Sequence, residues 1–430
     1  MIFSLILEIR NYSIKNIEII RIKIEEMINQ IQIKEKVNIL KELKVLLCTY
    51  EFPPYSFGGG AGIYAEGIAK ELSKKGVTIH IIFSIDHKYE NEIPRKIRNN
   101  IYLYPLKIKK IPGLSYFLFN LKAKKFISDL NIEYNLVHFN YSTLFKVKKV
   151  PNFITVHHPY GSLKILLKEF PHLVFSPNFL LEYNPIIEYL DKKSFKRADY
   201  IVSVSNFSKN WLVKNYDISS RKIKTIYQGI EIPKYRPDKV QYYIKKYNLK
   251  HKRVILFIGR LEIRKGILDL IEALSGLSPQ IDYKCIIIGR GPLKNKIIKR
   301  IKSYNIADKF IFIEYLEKKD LDCFYHICDI YVQPTYLEGF GLTIVEAMGA
   351  SKPVITTNTG AITEIIKNKI NGILIEPNQV ENLREKIIYC LENSEFRDYL
   401  GKNASKTVNN RFIWDKNINN LIEYYRKVID

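Results

Sequence analysis

Acidic side chains, cysteine, glycine, proline and long apolar runs are all in short supply in this 430-residue chain, and each shortage excludes something. Asp and Glu number 44 against 68 Lys and Arg, leaving a formal net charge of +24. A field of that sign attracts phosphate groups, whether in nucleic acid, anionic lipid or a nucleotide. The five cysteines stand at 48, 285, 323, 328 and 390, far apart and mostly inside apolar runs. That pattern excludes a disulfide framework and reads as buried free thiols in a reducing compartment. Cys323 and Cys328 lack His or Cys partners at zinc spacing, so no metal site is expected. With 17 prolines, 20 glycines and no low-complexity tract, the chain is neither collagen-like nor disordered. No apolar run approaches the ~18 residues of a membrane span. The opening MIFSLILEI meets Glu8 and Arg10 too early, without the basic start or cleavage site of a signal peptide. A cytoplasmic protein is expected, at most peripheral on the cytoplasmic face of a membrane. The 30 tyrosines are dispersed rather than set in an RNA-reading motif, so nucleic acid is not an expected partner.

What is present is a globular composition, 47% hydrophobic, in a chain long enough for two domains. Residues 11–43 carry apolar positions at mixed three- and four-residue spacing, and predict a helical N-terminal extension over 1–43. From Lys44 the pattern changes to KVLLCTY, then EFPPYSFGGGAG, then the helical IYAEGIAKELSKKG, then VTIHIIF. This is a strand, a glycine loop, a helix and a strand, followed by further strands in YNLVHFN, NFITVHH and ADYIVSVS. A second series starts at RVILFIG and runs through YKCIIIG, KFIFIEY, ICDIYVQPT and KPVITT, with helices between. Strands alternating with helices imply parallel sheets with both faces covered. The fold class is therefore α/β, with two Rossmann-like doubly wound domains facing across a cleft. Their expected bounds are 44–228 and 229–405, hinged near YQGIEIPKYRPD, with a helix over 406–430 returning to the first domain. Ligands of such sheets bind outside the carboxyl ends of the strands.

The sharpest pattern is QPTYLEGFGLTIVEAMGASKPVITT. Glu338 precedes a Gly339-Phe340-Gly341 turn and Glu346 lies eight residues later, one turn inside a helix expected to begin near Leu342. Carboxylates suit sugar and ribose hydroxyls, and free N–H groups over Gly339–Leu342 suit oxygens. In FIGRLEIRKGILDLIEA, Arg260 ends a strand and Lys265 stands before a helix, a pairing of cations suited to a diphosphate. Arg264 reads as an exposed loop charge. Gly58, Gly59 and Gly60 lie between strand and helix, where glycine lets backbone approach an anion. In TVHHP, His157 follows a strand and faces the cleft, whereas His138 in LVHFN reads as structural.

Together these motifs, in this order, resemble the donor-binding signature of the retaining glycosyltransferases of family 4, which have the GT-B fold. The similarity of pattern spans residues 44–430 and is strongest over 255–375. It implies that Arg260 and Lys265 hold a nucleotide-sugar's phosphates and stabilise the departing nucleotide, without a metal or other cofactor. It implies sugar contacts from Glu338 and the Phe340–Leu342 backbone, ribose binding by Glu346, and donor-phosphate proximity for Gly59 and Gly60. The usual T-V-H pattern selects His157 over His158 as the group that orients the reacting centre. The implied reaction transfers a sugar to an acceptor hydroxyl with retention of configuration. Departures stand at Arg290, where the pattern has an acidic residue, at Glu314, where glycine is usual, and at Gln228 and Glu231 in the hinge. The first two lie toward the nucleotide end of the pattern. The lysines around YLYPLKIKKIPGLSYFLFNLKAKKF suit an anionic membrane, and with it a lipid-linked or cell-surface glycan acceptor. Rival readings are a catalytically silent binding subunit, a nucleotide-sugar epimerase and a glucan synthase.

Overall fold

The computed structural model describes residues 43–56, 59–85, 95–98, 100–109, 111, 114–170 and 184–429. All of the helix expected over 11–43 except Leu43 lies outside them, as do Gly58 and Lys110. Fourteen strands are seen among the described residues: β1 Lys44–Thr49, β2 Thr78–Ile85, β3 Lys96–Arg98, β4 Ile101–Lys107, β5 Leu136–Phe139, β6 Asn152–Val156, β7 Tyr200–Ser203, β8 Ile223–Thr225, β9 Arg253–Ile258, β10 Tyr283–Ile288, β11 Phe310–Ile313, β12 Ile330–Gln333, β13 Val354–Thr357 and β14 Ile373–Ile375. They form two sheets, ordered β3-β4-β2-β1-β5-β6-β7-β8 and β11-β10-β9-β12-β13-β14. Every pairing is parallel except that of the short edge strand β3 with β4.

The central strands are apolar on both faces because both faces are covered. Val45 and Leu47 pack with Ile68 and Leu72 of the helix Gly60–Lys74, while Leu46 and Cys48 point the other way, toward Phe119 and Ala123 of the helix Ser115–Asp129. In the second sheet Ile255 and Phe257 alternate in the same manner with Leu256 and Ile258. All five cysteines are buried free thiols. No helix among the described residues is long and apolar enough to cross a membrane.

Strand order reverses between β1 and β5 in the first sheet and between β9 and β12 in the second, and these switch points open the crevices where ligands of such sheets sit. The chain crosses between the halves twice, and the crossings run side by side, the Ile230 N–H donating to the Phe412 carbonyl at 2.8 Å. The helix Ser394–Arg411 packs on Leu342–Gly349 in the second half. The next helix, Trp414–Ile429, packs on Gly60–Lys74 in the first. The return thus falls at Phe412–Ile413, later than the sequence suggested. His138 is buried between the Tyr425 hydroxyl of this last helix and Thr155 Oγ1, a structural place.

Candidate active site

Beyond the carboxyl end of β12 the chain turns through Pro334–Glu338, and Glu338 is buried there although its side chain carries charge. Burial favours the neutral acid, but Lys265 and Arg264 outweigh it and hold the carboxyl below its ordinary value. Lys265 Nζ donates to Glu338 Oε1, and Arg264 Nη1 lies 3.4 Å from Oε2. Thr335 Oγ1 and Gln333 Nε2 approach Oε1 at 3.3 and 3.5 Å. Desolvation pulls the Lys265 ammonium down against the opposite pull of Glu338. Two loops far apart in sequence are knitted together here, since the Tyr336 N–H and Thr335 hydroxyl both donate to the Arg264 carbonyl, at 2.8 and 2.9 Å.

Arg264 therefore needs correcting: it is not an exposed loop charge. Its guanidinium is largely buried, donates to the Leu337 carbonyl at 2.9 Å and braces Glu338. The exposed cation of the two is Arg260, 70% accessible, whose Nη2 pairs with the buried Glu262. An arginine held at one end with the rest of its fork in the cleft is free to meet an incoming anion.

The helix Leu342–Gly349 begins at Leu342, as its sequence suggests. Gly341, at its N-cap, has φ +93°, a region that side chains rarely tolerate. Gly339 serves a different end, because a Cβ there would lie 2.0 Å from the carbonyl oxygen of His157 in the other half. The glycine turn thus rests directly on the end of β6. Phe340 between them is buried against Tyr227 and Phe412. Glu346 lies in a network separate from Glu338: it accepts from the Tyr325 hydroxyl at 2.6 Å and sits 3.6 Å from Lys318 Nζ. Among the described residues the two glutamates share no hydrogen-bond partner, although the charges of both reach the buried Tyr331 hydroxyl.

Across the cleft, His157 Nε2 lies 3.0 Å from Asn140 Oδ1. Asn140 already uses its NH2 group on Thr49 Oγ1 and the Ala61 carbonyl, so its oxygen accepts and the His157 proton is assigned to Nε2. The ring stands edge-on to Tyr64 at 4.9 Å and near Tyr141 at 5.8 Å. Burial drops its pKa to about 4, which keeps it neutral. His158 turns toward the second half instead, where burial and then the charge of Arg264 lower it to about 3. Its neighbour Glu338 pulls the other way. Of the loop glycines, Gly59 has its N–H committed to Glu51 Oε2 at 2.8 Å, so only Gly60 of the pair keeps an amide outside that bond.

The sequence reading missed Glu51, Asn140, Tyr141 and Tyr64. Glu51 stands two residues past β1, and Asn140 and Tyr141 directly follow β5; these are the two strands of the first switch point, and that rule marks them. The departures at 290 and 314 turn out to be one feature. Arg290 Nε and Glu314 Oε2 are 3.6 Å apart, Lys294 joins them, and Arg290 lies over the Tyr315 ring.

Two parallel-sheet domains with such clusters at facing switch points define a glycosyltransferase of the GT-B type. The comparisons agree: residues 58–233 match Glycosyltransferase Family 4 and residues 240–407 match Glycosyl transferases group 1. The uncharacterized glycosyltransferase MJ1178 of Methanocaldococcus jannaschii is 30% identical over 90% of this chain and 99% of its own. The chain belongs to this glycosyltransferase family. Among solved structures, sucrose-phosphate synthase from Thermosynechococcus elongatus superposes with a TM-score of 0.76 at 21% identity, covering 90% of this chain and 99% of that one. Anabaena HepE in complex with UDP-glucose gives 0.71 at 19%, over 90% and 100%.

Proposed function

We propose that this glycosyltransferase moves a sugar from a nucleotide-sugar donor to an acceptor hydroxyl with retention of configuration, in the manner of a hexosyltransferase. The observation that carries the reading is the buried Glu338–Lys265–Arg264 cluster at one switch point, with Arg260 free-ended beside it and neutral His157 opposite. In this scheme the diphosphate lies against Arg260, Lys265 and the Gly60 amide at the glycine loop, where the leaving charge is met by side-chain cations rather than a divalent ion. Glu338 and the backbone of Gly339–Leu342 hold the sugar, and Glu346 holds the ribose. The bond from the anomeric carbon to the phosphate oxygen breaks as the acceptor oxygen bonds on the same face. The acceptor proton passes to the phosphate oxygen that leaves. His157 stays neutral and orients the sugar, and the protein contributes positioning and charge compensation. Solved neighbours bound to UDP and UDP-glucose support this class of donor.

A membrane-borne acceptor, a lipid-linked sugar or growing surface glycan, is supported by the helix Ser115–Asp129. It exposes Phe117 and Leu121 beside Lys122, Lys124 and Lys125, with Leu114 exposed at its start. Such a face suits the cytoplasmic surface of an anionic membrane. Pelleting with anionic vesicles should drop sharply when Lys109, Lys124 and Lys125 become Glu, and unchanged pelleting would remove the membrane from the reading.

The deciding experiment is a thermal-shift and donor-hydrolysis screen against UDP-, GDP-, ADP- and TDP-sugars, with and without EDTA. One donor should raise the melting temperature and be slowly hydrolysed, EDTA should change neither, and Glu338→Ala should abolish the hydrolysis. A folded chain that binds none of them would shift the reading to a silent binding subunit.

A further inference from the structure

One carboxylate in the cleft has no part in the scheme above. Glu51 leaves the end of β1, and its Oε2 accepts the Gly59 N–H at 2.8 Å. Burial pushes the pKa of this carboxyl up, while the Gly59 amide, the Tyr141 hydroxyl and the Gly62 amide beside it favour its charged form. Gly62 is packed so closely that a Cβ on it would stand 3.1 Å from Glu51 Cβ. The helix Gly60–Lys74 has no side-chain cap of its own at Gly59, so Glu51 caps it from eight residues upstream. The Gly60 and Ala61 amides, in that first turn, have no acceptor within the helix. Asn140 fixes the same turn from the other side through the Ala61 carbonyl, and carries His157 on its oxygen. The charge of Arg260, from the other half, acts on both Glu51 and Tyr141. One side chain therefore joins the glycine loop to Tyr141 beside His157, and feels the cation assigned to the diphosphate.

We propose that Glu51 is a positioning residue for the departing diphosphate: by taking the Gly59 and Gly62 amides and the Tyr141 hydroxyl, it fixes the loop so that the Gly60 and Ala61 amides face Arg260 across the cleft. It acts through the loop and does not touch the donor. A carboxylate is suited to this because it accepts from three donors at once. A glutamine keeps one acceptor oxygen and turns an NH2 group toward the rest, so it supports the loop only in part. An alanine leaves all three donors without their acceptor, and the loop amides lose their aim. The inference rests on the nucleotide-sugar reading.

The test uses the full chain and the donor that the screen selects, measuring kcat, KM, melting temperature and affinity for the matching nucleoside diphosphate. Glu51→Ala should lower kcat by about ten-fold or more with a smaller change in KM, because positioning of a leaving group is realised in the transition state. Glu51→Gln should recover kcat to within about three-fold of wild type. Tyr141→Phe, which removes one donor and keeps the ring, should fall between them and serves if the alanine variant does not fold. A Glu51→Ala enzyme with a lower melting temperature and wild-type kcat would overturn the inference, leaving a purely structural cap. Tighter nucleoside-diphosphate binding in Glu51→Gln would also overturn it, since the carboxylate would then be competing with the phosphate. If wild type itself turns over no donor while folded, the transferase reading falls and this inference with it.

Discussion

The two faces of the cleft solve opposite problems. The second half presents charge: Glu338, Lys265, Arg264, Glu262 and Arg260 form one connected set, buried at its centre and open at Arg260. The first half presents neutral groups held in place, with His157, Asn140, Tyr64 and Tyr141 packed around a glycine loop that Glu51 caps. Charge in a low-dielectric site must be paired at once, and so its residue types are tightly constrained. A neutral shaping surface can be assembled from many side chains. The charged side of the cleft is fixed by electrostatics and the opposite side by packing.

Glu338→Ala should break the charged face most severely. It leaves Lys265 and Arg264 buried without their carboxylate, which costs about 3–5 kcal/mol of stability, and donor hydrolysis should vanish with it. A melting curve unchanged from wild type would show the cluster is not the electrostatic unit described. Arg260→Ala should separate chemistry from folding. Its exposed side chain predicts a melting temperature near wild type, while kcat falls by about 100-fold or more. Equal losses in both variants would blur the distinction between the buried and open parts of the cluster.

The neutral face should announce itself in pH dependence. His138, His157 and His158 have pKa values lowered from 6.5 to about 3, 4 and 3 in the folded chain. Between pH 6.5 and about 4 the unfolded chain binds protons that the folded chain refuses, so stability falls as pH falls through that window. Asp191 and Asp269, raised to about 6, act in the opposite sense between about pH 4 and 6, because there the folded chain binds the extra protons. Burial lowers His80 and His326 as well and raises Glu51 and Glu66, so five histidines stand against four carboxyls, and the net loss on acidification should be clearest from pH 6.5 to 6, where the histidines outweigh the carboxyls. Thermal midpoints measured across this range should show it, and His157→Asn should make the slope shallower.

The smallest effect concerns what joins the faces. Glu364, in the second half, accepts from the Asn206 and Phe207 N–H groups at 2.8 and 2.6 Å, so it satisfies the first turn of a helix in the first half. Arg411 donates to the Glu364 carbonyl and lies over the Tyr227 ring. Glu364→Ala should cost about 1 kcal/mol, the usual worth of a lost helix cap. Small-angle scattering should show a wider chain if that contact holds the halves together, and an unchanged radius would confine its role to capping.

Much of this was legible in the sequence. Alternating apolar strands and helices implied two parallel sheets, because burial on both faces leaves continuous Val, Ile and Leu runs. The helix start at Leu342 followed from the glycine turn, and Glu338, Glu346, Arg260 and Lys265 stood out because their chemistry is packed into short spacings. Less legible were the short strands β3, β8 and β14, which are too brief to carry a period. Arg264 was misread because nothing local shows that Leu337 and Glu338 close over it. Asn140 meets Thr49 and His157, 91 and 17 residues away, and Glu51 and Tyr141 feel Arg260 from the other half, so no local pattern shows their surroundings.

By itself the sequence determined the sheet-and-helix alternation, the free buried thiols and the charged residues clustered in the second half, since each follows from periodicity or from chemistry confined to a few adjacent positions. Only the tertiary structure decided which cation is buried and which is open, and which histidine faces Asn140 and which faces Glu338. It also decided that Arg290 and Glu314 answer one another at 3.6 Å. Those choices depend on how loops from different strands meet at the carboxyl edges of two sheets, and no local pattern encodes that meeting.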